Sequence, residues 1–216
     1  MALSKVDYNS LNVTAAASKA LKWNSGADGF ETGDIAGAMV LLETQTASSS
    51  ATLSFTSGID STYKEYIFTF NNIHPSSTST PKFLFQGNAA GGADYNETIT
   101  SSSFYAYHDE ANTEAAVAYY GSGDQAQGTA FQRLVAGSVG ADNDQHVSGY
   151  LHLFNPSSTT FVKHFISRTS LSQDNDSIND FFVAGYFNTT SAIDEIQFKM
   201  DDGNIDTGTF KLYGIT

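Results

Sequence analysis

The sequence contains no cysteine. Disulfides, thiolate metal sites and cysteine nucleophiles are therefore excluded, and the redox compartment is left open because a cysteine-free chain suits either. Proline occurs three times, at 75, 81 and 156, each in a stretch that reads as loop or turn. Basic residues are also scarce: ten stand against twenty-three acidic ones, for a net charge of −13. Such a surface repels phosphate backbones and anionic membranes over a Debye length of roughly 8 Å, so nucleic acid is not an expected partner. There is no run of about 18 apolar residues and no apolar h-region behind a basic start. The reading is of a chain with neither a signal peptide nor a membrane-inserted span.

What remains is β-protein composition. Hydrophobic residues make up 40% and aromatics 13% of the 216 positions, with 15% charged. A chain of that length holds one sizeable core plus an appendage. The clearest stretch is 65–75, where Tyr66, Phe68 and Phe70 share one face at the two-residue period and Glu65, Thr69 and Asn71 share the other with Ile67. A helical period would scatter the three rings, so this is read as a central strand ending near His74.

Residues 1–37 are unlike the rest. Lys5, Lys19 and Lys22 face Asp7 alone in the first 22 positions, and a small-residue run at 14–20 could form at most a marginal helical turn. Trp23 and Phe30 have no periodic partners within the segment, which reads either as a flexible terminus with two chance aromatics or, as expected here, as an extended arm whose two aromatics dock onto a partner or a sister subunit. From 38 onward strands and turns alternate. A hairpin is expected from 39–46 and 51–55 around the turn 47–50, then strands at 65–74 and 82–86, a long loop at 87–100, and a strand at 104–108. The stretch 111–128 contains 114–120, which fits a short helix or an edge strand, and 129–136 reads as extended.

The second half is plainer: 145–154 and 161–169 form a hairpin around Asn155-Pro156-Ser157-Ser158, and strands follow at 181–187, 192–200 and 210–215. Nine or ten strands without intervening helices predict an all-β fold, an antiparallel two-sheet jelly-roll sandwich over 38–216 with an extended N-terminal arm.

Motifs for catalysis are weak. His146 and His152 lie about 20 Å apart along a strand at 3.3 Å per residue and cannot chelate together; His164 lies on the following strand. Ser61 and Lys64 match Ser-x-x-Lys, but that motif works at the start of a helix and this one enters a strand. The acidic turns 142–144, 174–176 and 201–206 lack the twelve-residue calcium loop with its closing Glu. Asn12, Asn96, Asn175 and Asn188 head Asn-x-Ser/Thr sequons of the kind such composition yields by chance. No metal site, cofactor or catalytic residue is expected. Tyrosines are better candidates: Tyr95, Tyr105, Tyr107, Tyr119 and Tyr120 flank or occupy the middle loops, where amphipathic rings either stack on sugar faces or cap the core with wet hydroxyls.

The phrases ASSSATLSF at 47–55, YKEYIFTFNNIHP at 63–75, SGYLHLFNP at 148–156 and GNIDTGTFKLYGI at 203–215 resemble virion structural proteins of marine tailed bacteriophages, as do KVDYNSL at 5–11 and ADGFE at 27–31. The resemblance implies a jelly-roll module, trimeric, on a virion surface with other virion proteins as partners. Two roles are expected from it together with the arm: a non-enzymatic tail-fibre or spike-like attachment module that meets host glycans, or a capsid decoration protein clamping the shell. A glycan depolymerase is the enzymatic alternative and requires two carboxylates flanking a groove.

Overall fold

A computed structural model of the chain describes residues 19–33 and 38–216. The chain divides into two compact units, Met1–Ala38 and Met39–Thr216. In the first, β1 (Ala20–Trp23) pairs antiparallel with β2 (Phe30–Gly33). The turn between them is held by Asn24, whose N–H donates to Gly29 O at 3.0 Å and whose Nδ2 donates to Asp28 Oδ1 at 2.9 Å. Trp23 and Phe30 face each other across this hairpin and stack at 4.4 Å. The expectation that the two rings have no partner in their own segment is thus corrected: a turn of six irregular residues makes them cross-strand neighbours. Most of the small-residue run, 14–18, lies outside the described residues.

The second unit is all-β and antiparallel, as the sequence pattern requires, with no helix among the described residues. Its strands are β3 (Met39–Ser50), β4 (Leu53–Phe55), β5 (Glu65–Pro75), β6 (Phe83–Ala89), β7 (Ile99–Asp109), β8 (Ala115–Tyr119), β9 (Ala126–Gly128), β10 (Gln132–Arg133), β11 (Val147–Phe154), β12 (Lys163–Ser172), β13 (Ser177–Phe187), β14 (Ile193–Met200) and β15 (Ile205–Ile215). They form a nine-stranded sheet in the order β3-β15-β5-β11-β12-β13-β7-β8, with β9 also on β7, and a four-stranded sheet in the order β10-β6-β14-β4. The expected central strand, β5, lies between β15 and β11. The hairpin of β11 and β12 pairs Val147 with Leu171 through Leu153 with Phe165.

The two sheets meet through phenylalanine. Ten of the sixteen are buried, and rings from opposite sheets touch: Phe55 and Phe68 at 5.2 Å, Phe70 and Phe83 at 5.1 Å, Phe85 and Phe165 at 5.0 Å. Edge-to-face contacts of this kind add to the area-dependent gain from burial. Alternation then sets which side chains enter this layer: in β12, Phe165, Ser167, Thr169 and Leu171 are buried while His164, Ile166, Arg168 and Ser170 are exposed.

Several expectations are corrected. β3 and β4 are not a hairpin; β3 runs on through 47–50 paired with β15, and the chain crosses to the other sheet at 51–52. No glycine, asparagine or proline stands at 47–50 to enforce a reversal. The loop expected at 87–100 shrinks to 90–98 because both flanking strands extend into it. The stretch 114–120 resolves as the edge strand β8, and 129–136 contributes only the two residues of β10. Fifteen strands rather than nine or ten are present among the described residues, because β1, β2 and β8–β10 are too short to leave a periodic trace.

Candidate functional site

Beside the end of the core, the inward faces of β7 and β13 open into a cleft of about 230 Å³ lined by Tyr105, Tyr107, Glu114, Tyr120, Gln173 and Asn179, with Asn175 and the backbone of 136–137 completing it. Tyr105 and Tyr107 reach it because they are two residues apart on one strand. Tyr120 reaches it from the end of β8. Its N–H donates to Ser103 O at 2.9 Å, and Ser103 Oγ donates to Tyr120 O at 2.8 Å. The rings form a corner: Tyr120 stands edge-on to Tyr105 at 5.5 Å and to Phe181 at 5.8 Å, and Tyr105 tilts toward Tyr107 at 5.9 Å.

The polar wall is ordered by side chains that hold one another. Asn179 is directly opposite Tyr107 in the β7–β13 register and is only 3% exposed. Its Nδ2 donates to Gln173 Oε1 at 3.1 Å, while its Oδ1 has no hydrogen-bond partner. A buried acceptor left unpaired costs about 1–3 kcal/mol, so Asn179 owes its position to the bond with Gln173 and to the β7–β13 pairing. Gln173 lies flat against Gly137, where an added Cβ would sit 2.0 Å from its Nε2. Tyr107 donates to Glu114 Oε2 at 3.1 Å. That bond, then desolvation and the carboxylate's charge, raise the phenol pKa above its ordinary value, so Tyr107 stays protonated. Arg133 Nη1 donates to the Tyr120 hydroxyl at 3.3 Å. The cleft therefore offers rings, amides, hydroxyls and one carboxylate, a set suited to a neutral polyhydroxylated molecule. A second carboxylate for acid and base roles is not among its lining residues.

Of the five tyrosines singled out by the sequence, three converge here. Tyr95 instead donates to Glu195 Oε2 at 2.8 Å, tying 90–98 to β14, and burial leads the rise in its pKa. Tyr119 points to the opposite face of the sheet from Tyr105 and bonds Asp124. Asn179, Gln173 and Glu114 were not anticipated. The signal for Asn179 was present: it alternates in phase with Phe181 and Val183, and a polar residue at a core position is an anomaly.

A neighbouring pocket shares Gln173 and gathers Asp109, Glu110, Asp142, Asp144 and Asp176 around His108. Asp109 accepts from the N–H groups of Thr113 and Glu114, both at 2.8 Å, and from the Thr113 hydroxyl; that hydroxyl bond leads in holding its pKa below the usual carboxylate value. Among the described residues no group of three or more histidine, aspartate or glutamate side chains is placed to hold a metal ion. His74 and His146 line one shallow pocket, and the other histidines lie apart from it. His152 meets Glu65 at 2.9 Å, His146 the carbonyl of Asp144 and His74 that of Asp142, while His164 lies opposite Tyr186.

No family model, curated protein or solved structure matches the chain.

Proposed function

We propose that the protein is a non-enzymatic attachment module of a virion surface, of the tail-fibre or spike kind, which holds a neutral sugar of the host surface in the cleft of Tyr105, Tyr107 and Tyr120. The observation that carries the reading is the corner of three tyrosine rings walled by Glu114, Gln173 and Asn179. Sugar hydroxyls match the amides and the Glu114 carboxylate of the wall, and the apolar faces of a pyranose suit the rings. The net charge of −13 disfavours acidic polysaccharides and selects for neutral ones. Alternation of successive strands between the two sheets from β3 to β7 supports a jelly-roll ancestry for the sandwich, in line with the sequence resemblance to phage virion proteins. Residues 1–37 serve in this reading as the anchor to other virion proteins. The Trp23–Phe30 stack, 61% and 39% exposed, is a ready apolar contact for them. That same contact favours the second reading, a decoration protein seated on the capsid lattice.

The test of the binding role is a printed array of bacterial-surface oligosaccharides probed with the full chain. Binding to neutral glycans that Tyr107→Ala abolishes and Tyr119→Ala spares is expected. An array without binders, or binding indifferent to Tyr107→Ala, refutes the cleft. Reconstruction of the intact particle separates the two positions: a few copies around the tail fit attachment, and copies at many capsid axes fit decoration.

A further inference from the structure

The outer face of the nine-stranded sheet is unlike an ordinary solvated surface. Every exposed large hydrophobic residue of Met39–Thr216 except Phe161 lies on it, Leu41, Phe104, Tyr150, Ile166 and Ile178 among them. The register aligns these side chains in rows. One row runs Phe104, Phe182, Arg168, Tyr150 and Thr69 across β7, β13, β12, β11 and β5. Phe104 and Phe182 stack at 4.7 Å and 5°, and the Arg168 guanidinium sits 4.7 Å from the Phe182 ring centre. Asp180 accepts from Arg168 Nε at 2.9 Å and Nη2 at 2.7 Å, so the cation is already neutralised in place.

From this face we infer a second copy of this chain as its occupant, packed sheet against sheet. Two features select that partner. The four central rows carry two acids, Glu65 and Asp180, and two bases, Arg168 and Lys211, in a chain whose net charge is −13. Two copies repel over most of their surface but meet here without opposing charge. The area also suffices: eight strands about 4.8 Å apart and rows spanning about 20 Å give roughly 700 Å² per copy, close to the roughly 800 Å² that a stable interface needs from each partner. This face lies on the other side of the sheet from the tyrosine cleft, so the two surfaces act independently. The same face on both copies closes with one partner across a two-fold axis, in contrast to the three-fold assembly that the sequence resemblance implied. Face-to-face sheets settle about 10 Å apart, which leaves the cleft open in both copies.

Sedimentation velocity of the full chain from 1 to 100 µM tests this. The expected species has twice the 23.1 kDa of one chain. Ile166→Glu, at a residue 45% exposed and therefore tolerated in the free chain, puts a carboxylate into the dimer's apolar contact and raises its Kd by roughly 100-fold or more. Phe161→Glu, in the β11–β12 turn outside the face, leaves it unchanged. Ile178→Glu is the second variant should Ile166→Glu lose its wild-type melting curve. A monomer at every concentration, a trimer, or a dimer that neither substitution weakens overturns the inference.

Discussion

Phe198 sits at 0% exposure on β14, and replacing it with alanine is the sharpest test of how the two sheets are held. Its ring lies 5.2 Å from Phe210, 5.7 Å from Phe68, 5.8 Å from Phe83 and 5.9 Å from Phe70, so one side chain joins the small sheet to two central strands of the large one. Phe→Ala in a core costs about 3–5 kcal/mol, from lost transfer free energy plus the cavity left behind. The ring contacts place this site at the upper end. An unfolding entropy of about 2.1 cal/mol/K per residue, over a sandwich of roughly 180 residues, is about 0.38 kcal/mol/K, so the melting temperature should fall by about 10–13 °C. Differential scanning calorimetry reads this directly, with Phe161→Ala as control; Phe161 is 68% exposed and its loss should shift the midpoint by no more than about 2 °C. A fall of less than about 3 °C for Phe198→Ala would refute the ring cluster as the joint between the sheets.

Asn179→Ala removes the bond that holds Gln173 in the polar wall, so calorimetry should show a loss of about 1 kcal/mol while array binding weakens. Glu114→Gln should lower the Tyr107 pKa toward its ordinary value, read as an earlier tyrosinate absorbance rise at 295 nm. Because the folded Tyr107 pKa is raised, its contribution to stability is whole below pH 10 and is lost as pH climbs through the folded value. Lys163 is fully buried, and its Nζ donates to Phe161 O at 2.7 Å and Thr189 O at 3.1 Å. Burial lowers its pKa, so the unfolded chain holds the proton more tightly and stability rises with pH just below the ordinary lysine value. Denaturant titrations between pH 8 and 10 should show that rise lost in Lys163→Met.

The sequence made β5 and the β11–β12 hairpin legible because strict alternation and an Asn-Pro turn are local signals. The separation of β3 from β4 was not, since a crossing between sheets costs only two irregular residues and leaves no compositional mark. The same distinction runs through the site. Tyr105 and Tyr107 share a face by the two-residue period, and that period also dictates that adjacent Tyr119 and Tyr120 cannot both enter one cleft. Asn179 comes within reach of Tyr107 only through the pairing of β13 with β7, a non-local fact that no stretch of either strand contains.

Whether Tyr105, Tyr107 and Tyr120 hold a sugar ring is tested most directly by saturation-transfer NMR of the full chain with a panel of neutral hexoses and N-acetylhexosamines. Transfer from protein to the ring protons of at least one sugar, absent in Tyr107→Ala and intact in Tyr119→Ala, is the outcome the cleft requires. Transfer to none of them, or transfer that survives Tyr107→Ala, would contradict it.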